Sequence, residues 1–269
     1  MGWVGDILGG TPLLPLLMRM VLVATFVVSV ALIAERLGPF FGGMVASLPL
    51  LTGPVYVLLA FEHDAAYFAQ TTVASVAICA GIPVFVLVYA LLARSRSGPL
   101  SVLGALLAWS VVGLIVQARE WTLPEALLFV APVYVVSLPL AQTFTRGVPI
   151  RNARRRWHDL LLRAMFVAIF TGIVVVVSQH VPPSVTGVLS VMPILMSSLI
   201  LVLHPRIGGP GTAALMAHTL GGIVGMVLAF CAVNLTVLRI GVWPALALGL
   251  GISVSWNTML IVARRLRIR

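Results

Sequence analysis

Hydroxyl side chains beside two helix-breaking prolines are the groups in this sequence best placed to bind a solute. One stretch is GGMVASLPLLTGP, residues 42–54, and the other is TGVLSVMPILMSS, residues 186–198. Proline inside a helix removes a backbone donor and frees a carbonyl one turn earlier. Within hydrocarbon, the freed groups need partners from protein, an ion or cavity water. The candidate substrate-binding residues in the two stretches are Ser47, Pro49, Thr52, Ser190, Pro193, Ser197 and Ser198.

Two interpretations of these prolines stay open. In one, the two interrupted helices face each other near the membrane midplane, and their half-helix N-termini and hydroxyls bind a solute or an ion. In the other, each proline makes an ordinary kink, and the serine and threonine side chains bond back to their own helix. The matched positions of Pro49 and Pro193 in the two halves of the chain favour the first interpretation.

His218 and Asn257 are two further candidates for the same substrate site. His218 lies well inside a predicted span, where an ionisable group is a functional hypothesis by default. Its imidazole would titrate near neutral pH and could carry a coupling proton. Asn257 lies four residues after Ser253 on the same helix face, at a predicted depth similar to that of His218. Hydrogen bonding between helices, without a ligand, is the alternative role for both.

No motif in the sequence predicts an enzyme. HExxH, GxSxG, CxxC and P-loop patterns are absent, and the seven acidic residues all lie in or beside predicted loops. Cys79 and Cys231 lie in apolar runs without metal-ligand spacing. We therefore expect no catalytic residue, no metal and no cofactor. The lack of a carboxylate deep in a span favours a neutral or anionic solute over a cation.

The composition is that of an integral membrane protein. Of the 269 residues, 61% are hydrophobic and 9% are charged, whereas a soluble domain has about 25% charged residues. The net charge of +10 comes entirely from arginine, and the arginines lie between apolar runs. This placement suits orientation in a membrane. We therefore expect the lipid bilayer, and not nucleic acid, as a partner.

Apolar runs predict an all-α fold, a polytopic transmembrane helix bundle of about nine spans. The arginine-rich loop at 144–159 belongs in the cytoplasm by the positive-inside rule. With an odd number of spans, the C-terminus is then cytoplasmic and the N-terminus periplasmic, in a bacterial inner membrane. The predicted spans are 16–34, 42–61, 67–92, 99–118, 123–142, 160–178, 185–203, 210–237 and 241–263.

A shift of 144 residues aligns the two halves of the sequence without a gap. Corresponding helices are five spans apart, an odd number, so they cross the membrane in opposite directions. Inverted repeats of this kind occur in secondary transporters. The sequence predicts one membrane domain, 1–269, composed of repeat one (16–118), a linking helix (123–142), the basic cytoplasmic loop (144–159) and repeat two (160–263). The matched pairs include Arg19 with Arg163, Pro39 with Pro183, Pro49 with Pro193, and Gly81 with Gly225.

One part of the sequence resembles a known family. The unit RLGPFFGGMVASLPLLTGPVYVLL, the glycine-containing helix through Gly81 and the helix around Trp109 resemble the small GlpM-like family of bacterial inner-membrane proteins. The resemblance covers roughly residues 17–117 and, less closely, 161–262. Because members of that family are about one repeat long, it implies a fused two-copy version. The family is linked to alginate production, so the resemblance also implies a role in envelope polysaccharide synthesis.

Two functions are compatible with these features. The first is a transporter or permease of a small neutral or anionic solute, which works by alternating access around the two proline-broken helices. The alternative is a non-transporting membrane subunit that supports envelope polysaccharide biosynthesis. The expected partners are the bilayer and a small solute of unknown identity, and a homo-oligomer is left open.

Overall fold

The computed structural model of the chain describes residues 52–146 and 157–268, together with Met18, Val21 and Thr25. Within these residues the chain forms helices joined by short turns and has no strand. The all-α prediction is confirmed for this part of the chain. The helices are α1 (Thr52–Leu59), α2 (Ala65–Ile78), α3 (Gly81–Leu92), α4 (Gly98–Gln117), α5 (Leu123–Thr143), α6 (Trp157–Ser178), α7 (Pro183–Ser190), α8 (Ile194–Ile240) and α9 (Val242–Ile268).

Five helical segments in the described part of the chain are long and apolar enough to cross a membrane. Their outward surface is apolar as well: α4 exposes Leu103, Leu107 and Leu114 while it buries Ser101 and Ala105. A helix at a water-exposed surface has the opposite arrangement, with its polar face outward. These are the helices of a membrane-embedded protein. The five segments are 65–92, 98–117, 123–143, 183–240 and 242–263.

The segment 183–240 is too long to be one span. Its 58 residues would measure about 87 Å as a straight helix, against about 30 Å for the hydrocarbon core. Two interruptions divide it. One lies between α7 and α8 at residues 191–193, and the other is Gly208, whose φ of 80° and ψ of 164° are not helical.

The boundaries of two predicted helices in this region need a correction. The sequence predicted 185–203 and 210–237, with a turn of several residues between them. In the structure that turn is a single residue, Gly208. The first helix continues through Pro205 to this glycine, and the second helix begins directly after it. Glycine permits this because only a residue without a side chain adopts the left-handed region readily.

The count of nine spans and the inverted arrangement stay predictions. The predicted first span, 16–34, and most of the basic loop at 144–159 lie outside the described residues. The remaining predicted spans overlap helices α1 to α9. No family or membrane orientation follows from the helices alone.

Close contacts between small residues bring the helices together. α7 packs against α2, α3 against α4, and α8 against both α2 and α9. At the α7–α2 contact, a Cβ added to Gly187 would clash with the carbonyl oxygen of Thr71. Glycine is therefore required where these two backbones meet.

The predicted linking helix, α5, forms a hydrogen bond to the backbone where Pro83 interrupts the helical hydrogen bonds between α2 and α3. Pro83 has no N–H to donate to the carbonyl of Cys79. The hydroxyl of Tyr134 on α5 donates to that oxygen at 3.3 Å, and the N–H of Ile82 lies 3.3 Å from the same oxygen. α5 packs against α2, α3 and α8, and it therefore contacts both halves of the described chain.

Candidate solute-binding site

The helix that contains Pro193 is interrupted and not merely kinked. α7 ends at Ser190, and Val191 follows with φ −103° and ψ 6°. Pro193 has φ −78° and ψ 47°, outside the helical region. The N–H of Ile194 donates to Met192 O at 2.8 Å instead of continuing the ladder of α7. The backbone carbonyl of Ser190 is thus left without its helical donor.

A side chain from another helix reaches this carbonyl. The hydroxyl of Thr52, the first described residue of α1, donates a hydrogen bond to the backbone carbonyl of Ser190, with 3.3 Å between the two oxygens. The same hydroxyl lies 3.8 Å from Sδ of Met226 on α8. The contact joins the two predicted proline-broken helices, because Thr52 belongs to the first stretch and Ser190 to the second. Pro49 and Ser47 lie outside the described residues.

The three candidate serines form local hydrogen bonds. Ser190 Oγ donates to Thr186 O at 2.7 Å, Ser197 Oγ donates to Pro193 O at 2.7 Å, and Ser198 Oγ donates to Leu195 O at 2.8 Å. These are the bonds back to the same helix that the second interpretation of the prolines expected. Because each hydroxyl proton is already used, these serines could offer only lone pairs to a ligand.

A cavity of about 100 Å³ lies next to the Thr52–Ser190 contact, between α1, α8 and α9. Its walls are mainly apolar and include Tyr56 on α1 and Phe230 on α8, whose ring centroids are 5.2 Å apart. Among the described residues, no charged side chain lines it. The polar groups at its walls belong to Thr52, Tyr56 and Ser253.

Ser253 on α9 is the unusual member of this wall. The residue is fully buried, and its Oγ has no hydrogen-bond partner in the described structure. A buried hydroxyl without a partner costs about 1–3 kcal/mol. Such a group is therefore a candidate ligand contact: once the Ser253 side chain turns its Oγ toward the cavity, a bound molecule would supply the missing hydrogen bond.

Tyr56 is fixed by a hydrogen-bond chain that leads away from the cavity. Ser75 Oγ donates to Gly187 O at 2.8 Å. The hydroxyl of Tyr56 lies 2.7 Å from Ser75 Oγ and must be the donor, because the serine proton is already used. This chain links α1, α2 and α7, and it holds the Tyr56 ring in position beside the cavity.

His218 and Asn257 occupy different environments. His218 lies on an exposed surface of α8, whereas Asn257 is buried on α9 with 2% of its surface exposed. Nδ2 of Asn257 donates to Ser253 O at 2.9 Å, one turn earlier in the same helix. The cavity is lined by Ser253 and not by either of the two predicted residues. A shared pocket for His218 and Asn257 stays a prediction.

A second polar cluster, which no pattern in the sequence predicts, joins the α1–α2 loop to the end of α6 and the start of α7. Nε2 of His63 lies 2.8 Å from Ser178 Oγ, and the imidazole stacks on the Tyr67 ring at 3.7 Å. The Tyr67 hydroxyl donates to Thr186 Oγ1 at 2.6 Å. Partial burial lowers the pKa of His63, although the neighbouring Glu62 and Asp64 carboxylates oppose that shift. Nothing in the local spacing of these residues indicates that they meet.

A histidine–tyrosine contact also joins α3 to α8. Nδ1 of His204 lies 2.9 Å from the hydroxyl of Tyr89. Asn234, also on α8, donates through Nδ2 to Ala69 O at 2.7 Å and to Thr72 Oγ1 at 3.1 Å on α2. These interhelical hydrogen bonds hold α8 against α2 and α3.

No family model, curated protein or solved structure matches the chain. The GlpM-like resemblance therefore stays a hypothesis that rests on the residues quoted for it. In the described ranges, no group of three or more His, Cys, Asp or Glu side chains is arranged to hold a metal ion.

Proposed function

We propose that this chain is a membrane transporter of a small neutral or anionic solute, in a bacterial inner membrane with a cytoplasmic C-terminus. The observation that carries the proposal is the contact of Thr52 on α1 with Ser190 O at the broken end of α7, beside a cavity. In secondary transporters, interrupted helices of this kind bind substrate where two repeats meet. The interruption after Ser190 also supplies a place where the two halves can move relative to each other.

Helix starts support the proposed duplication. Asp64 precedes α2, and the residue 144 positions later is Gly208, the interruption within α8. Ser97 precedes α4, and the residue 144 positions later is Gly241, which precedes α9. Two helix starts therefore coincide under the same gap-free shift that aligns the sequences.

The pairing of helices supports the inverted arrangement. α1 packs on the second half of α8, residues 209–240, through Tyr56 and Phe230. α7 packs on α2 through Gly187. Under the 144-residue shift, the span that includes α1 corresponds to the span that includes α7, and α2 corresponds to the second half of α8. At the level of whole spans, these two pairings are of the kind that a two-fold axis between the repeats would exchange. Residue by residue, the counterpart of the Tyr56–Phe230 pair is Ile200 with Val86, and the counterpart of Gly187 is Gly43, which lies outside the described residues.

Replacement of Pro193 by alanine tests the role of the interruption. The N–H that alanine restores allows a continuous helix from α7 into α8, so we expect uptake into proteoliposomes to fall while membrane insertion is unchanged. The solutes to screen are radiolabelled small neutral and anionic compounds. Pro132→Ala is the matched control, because Pro132 lies inside α5 on an exposed surface.

Three outcomes separate the candidate functions. Loss of uptake in Pro193→Ala, with uptake retained in Pro132→Ala, supports the proposal. Retained uptake in Pro193→Ala overturns the role of the interruption between α7 and α8 in transport. No uptake of any solute, together with a polysaccharide synthase that co-purifies with the protein, favours the non-transporting subunit instead.

A further inference from the structure

We infer that the cavity between α1, α8 and α9 binds a small neutral molecule that has an apolar body and one hydrogen-bonding group. The inference rests on the proposed function in taking this molecule to be the transported solute. Binding can nevertheless be measured without transport, so the two can fail separately. The size of the cavity, the chemistry of its walls and the different packing of the equivalent region in the other repeat all favour such a molecule.

The volume limits the size of the molecule. The cavity measures about 100 Å³, and an apolar cavity of about 150 Å³ holds benzene. A molecule of about four or five non-hydrogen atoms, slightly smaller than benzene, is therefore of the size that this space accommodates.

The wall chemistry limits its polarity. With no charged side chain lining the described walls, an ion would lose its hydration without compensation. Ser253 Oγ can both donate and accept, since it has no partner in the described structure. Thr52 donates its proton towards Ser190 O and so presents only an acceptor. A molecule with one hydroxyl would satisfy Ser253 and leave its carbon atoms against Met226 and Phe230.

The equivalent region of the other half is filled. The positions 144 residues before Ala229, Val233 and Ser253 are Phe85, Tyr89 and Trp109. All three aromatic residues are buried between α3 and α4 or against neighbouring helices. At these three positions the second half has small residues where the first half has large ones, whereas Phe230 and Leu246 are larger than their counterparts Val86 and Val102. Thr71 and Thr171 are also buried with hydroxyls that have no partner in the described structure, but only Ser253 combines such a hydroxyl with a place in the wall of this cavity.

A cysteine placed in the cavity can report on its occupancy. In a background with both native cysteines replaced by alanine, Gly53→Cys introduces a thiol into the wall, where no described atom lies within 4 Å of an added Cβ. Its reaction with methyl methanethiosulfonate, a small neutral reagent, is followed by mass spectrometry. Gly251→Cys is the matched control, because an added Cβ there also has open space and the residue is exposed on α9.

Butan-1-ol is the probe. At a concentration of about ten times its Kd, it should slow the labelling of Gly53→Cys about tenfold and leave Gly251→Cys unchanged. Adding Ser253→Ala should raise the concentration of butan-1-ol needed for protection about fivefold, which corresponds to one hydrogen bond. Protection by 1-chlorobutane, which has the same size but no hydroxyl, should not depend on Ser253.

Several results would overturn the inference. These are an absence of protection at Gly53→Cys, equal slowing at both cysteines, protection that does not depend on Ser253, and protection by the anion butyrate. Equal slowing would mean that the alcohol acts through the lipid. If Gly53→Cys fails to fold, Ala229→Cys provides a second reporter in the same wall. Protection at the cavity combined with full uptake by Pro193→Ala would retain the binding site and refute the transport mechanism.

Discussion

The contact between α3 and α4 and the contact between α8 and α9 each place a tryptophan ring against a glycine. A Cβ added to Gly81 would lie 2.7 Å from Cδ1 of Trp109, and one added to Gly225 would lie 2.8 Å from Cδ1 of Trp256. The glycines are 144 residues apart, but the tryptophans are 147 apart. The second ring therefore comes from a position almost one helical turn later.

This offset leaves Ser253 at the position equivalent to Trp109. In the first half, the ring fills the space beside Gly81, and its Nε1 is buried without a partner among the described residues. In the second half, Nε1 of Trp256 donates to Gly221 O at 2.9 Å, and the cavity lies beside Ser253. In the first half, a tryptophan ring fills the space between α3 and α4. In the second half, the corresponding pair, α8 and α9, borders a cavity.

Removal of the first tryptophan should have the largest effect on stability. Trp109→Ser makes the first half like the second and leaves a void beside Gly81. We expect it to lower the free energy of unfolding by about 3–5 kcal/mol, the range for a large aromatic residue removed from a core. Equilibrium unfolding in mixed micelles of detergent and SDS measures the change.

The control for this variant is Ser253→Ala. This substitution removes a hydroxyl that has no partner, but it removes no aromatic ring. Because it removes a cost of about 1–3 kcal/mol, it should raise the free energy of unfolding, the opposite direction to Trp109→Ser. If Trp109→Ser lowered the free energy of unfolding by less than about 1 kcal/mol, the Trp109 ring would not stabilise the packing of α3 against α4. The difference in packing between the two halves would then have no effect on stability.

Much of the fold follows from the sequence because lipid imposes simple rules on helices. Apolar length predicts where α2 to α5 lie, and proline predicts the interruption at residue 193. The sequence also predicts that the two proline-broken helices meet, and this stays a prediction because Pro49 lies outside the described residues; Thr52, three residues after it, contacts Ser190 O. These features depend on the local backbone and on the 144-residue shift, and both can be read from one chain.

The candidate cavity could not be predicted in the same way. In the sequence, Ser253 is distinguished only by the helix face that it shares with Asn257. Its place in the cavity wall becomes clear only in the structure, where Trp109 fills the equivalent position of the first half. The serines around Pro193 look like ligands in the sequence, but their hydroxyls bond to their own helix. Side-chain direction decides these cases, and hydropathy contains no information about direction.

A smaller effect should come from the indole N–H groups. Replacement of each tryptophan by benzothienylalanine retains the ring shape and removes the N–H. At Trp256 this breaks the bond to Gly221 O and should cost about 1 kcal/mol. At Trp109 no such bond exists in the described structure, so the replacement should be neutral or slightly stabilising. The same unfolding assay measures both variants. Equal losses of stability at the two positions would contradict the conclusion that only the Trp256 indole N–H forms a hydrogen bond.

The smallest expected effect is a dependence on pH at His63, which the equivalent position of the second half does not share. The position 144 residues after His63 is Ile207, which does not titrate. Ser178 Oγ donates to Val175 O at 2.7 Å, so His63 must donate its Nε2–H to Ser178 Oγ. The free Nδ1 then takes up the proton when the ring becomes charged.

Because burial lowers the pKa of His63 in the folded state, the folded protein binds this proton less readily than the unfolded chain. The contribution of His63 to stability is fully present above its ordinary pKa of about 6.5 and is lost as the pH falls through the lower folded value. Acidification from about pH 7.5 to about pH 5 should therefore lower the Tm more in the native protein than in His63→Gln. Ile207→Gln is the control at the equivalent position and should retain the native pH profile. An identical profile for His63→Gln and the native protein would show that the His63–Ser178 contact does not respond to pH, and the difference between the two turns would then be one of packing only.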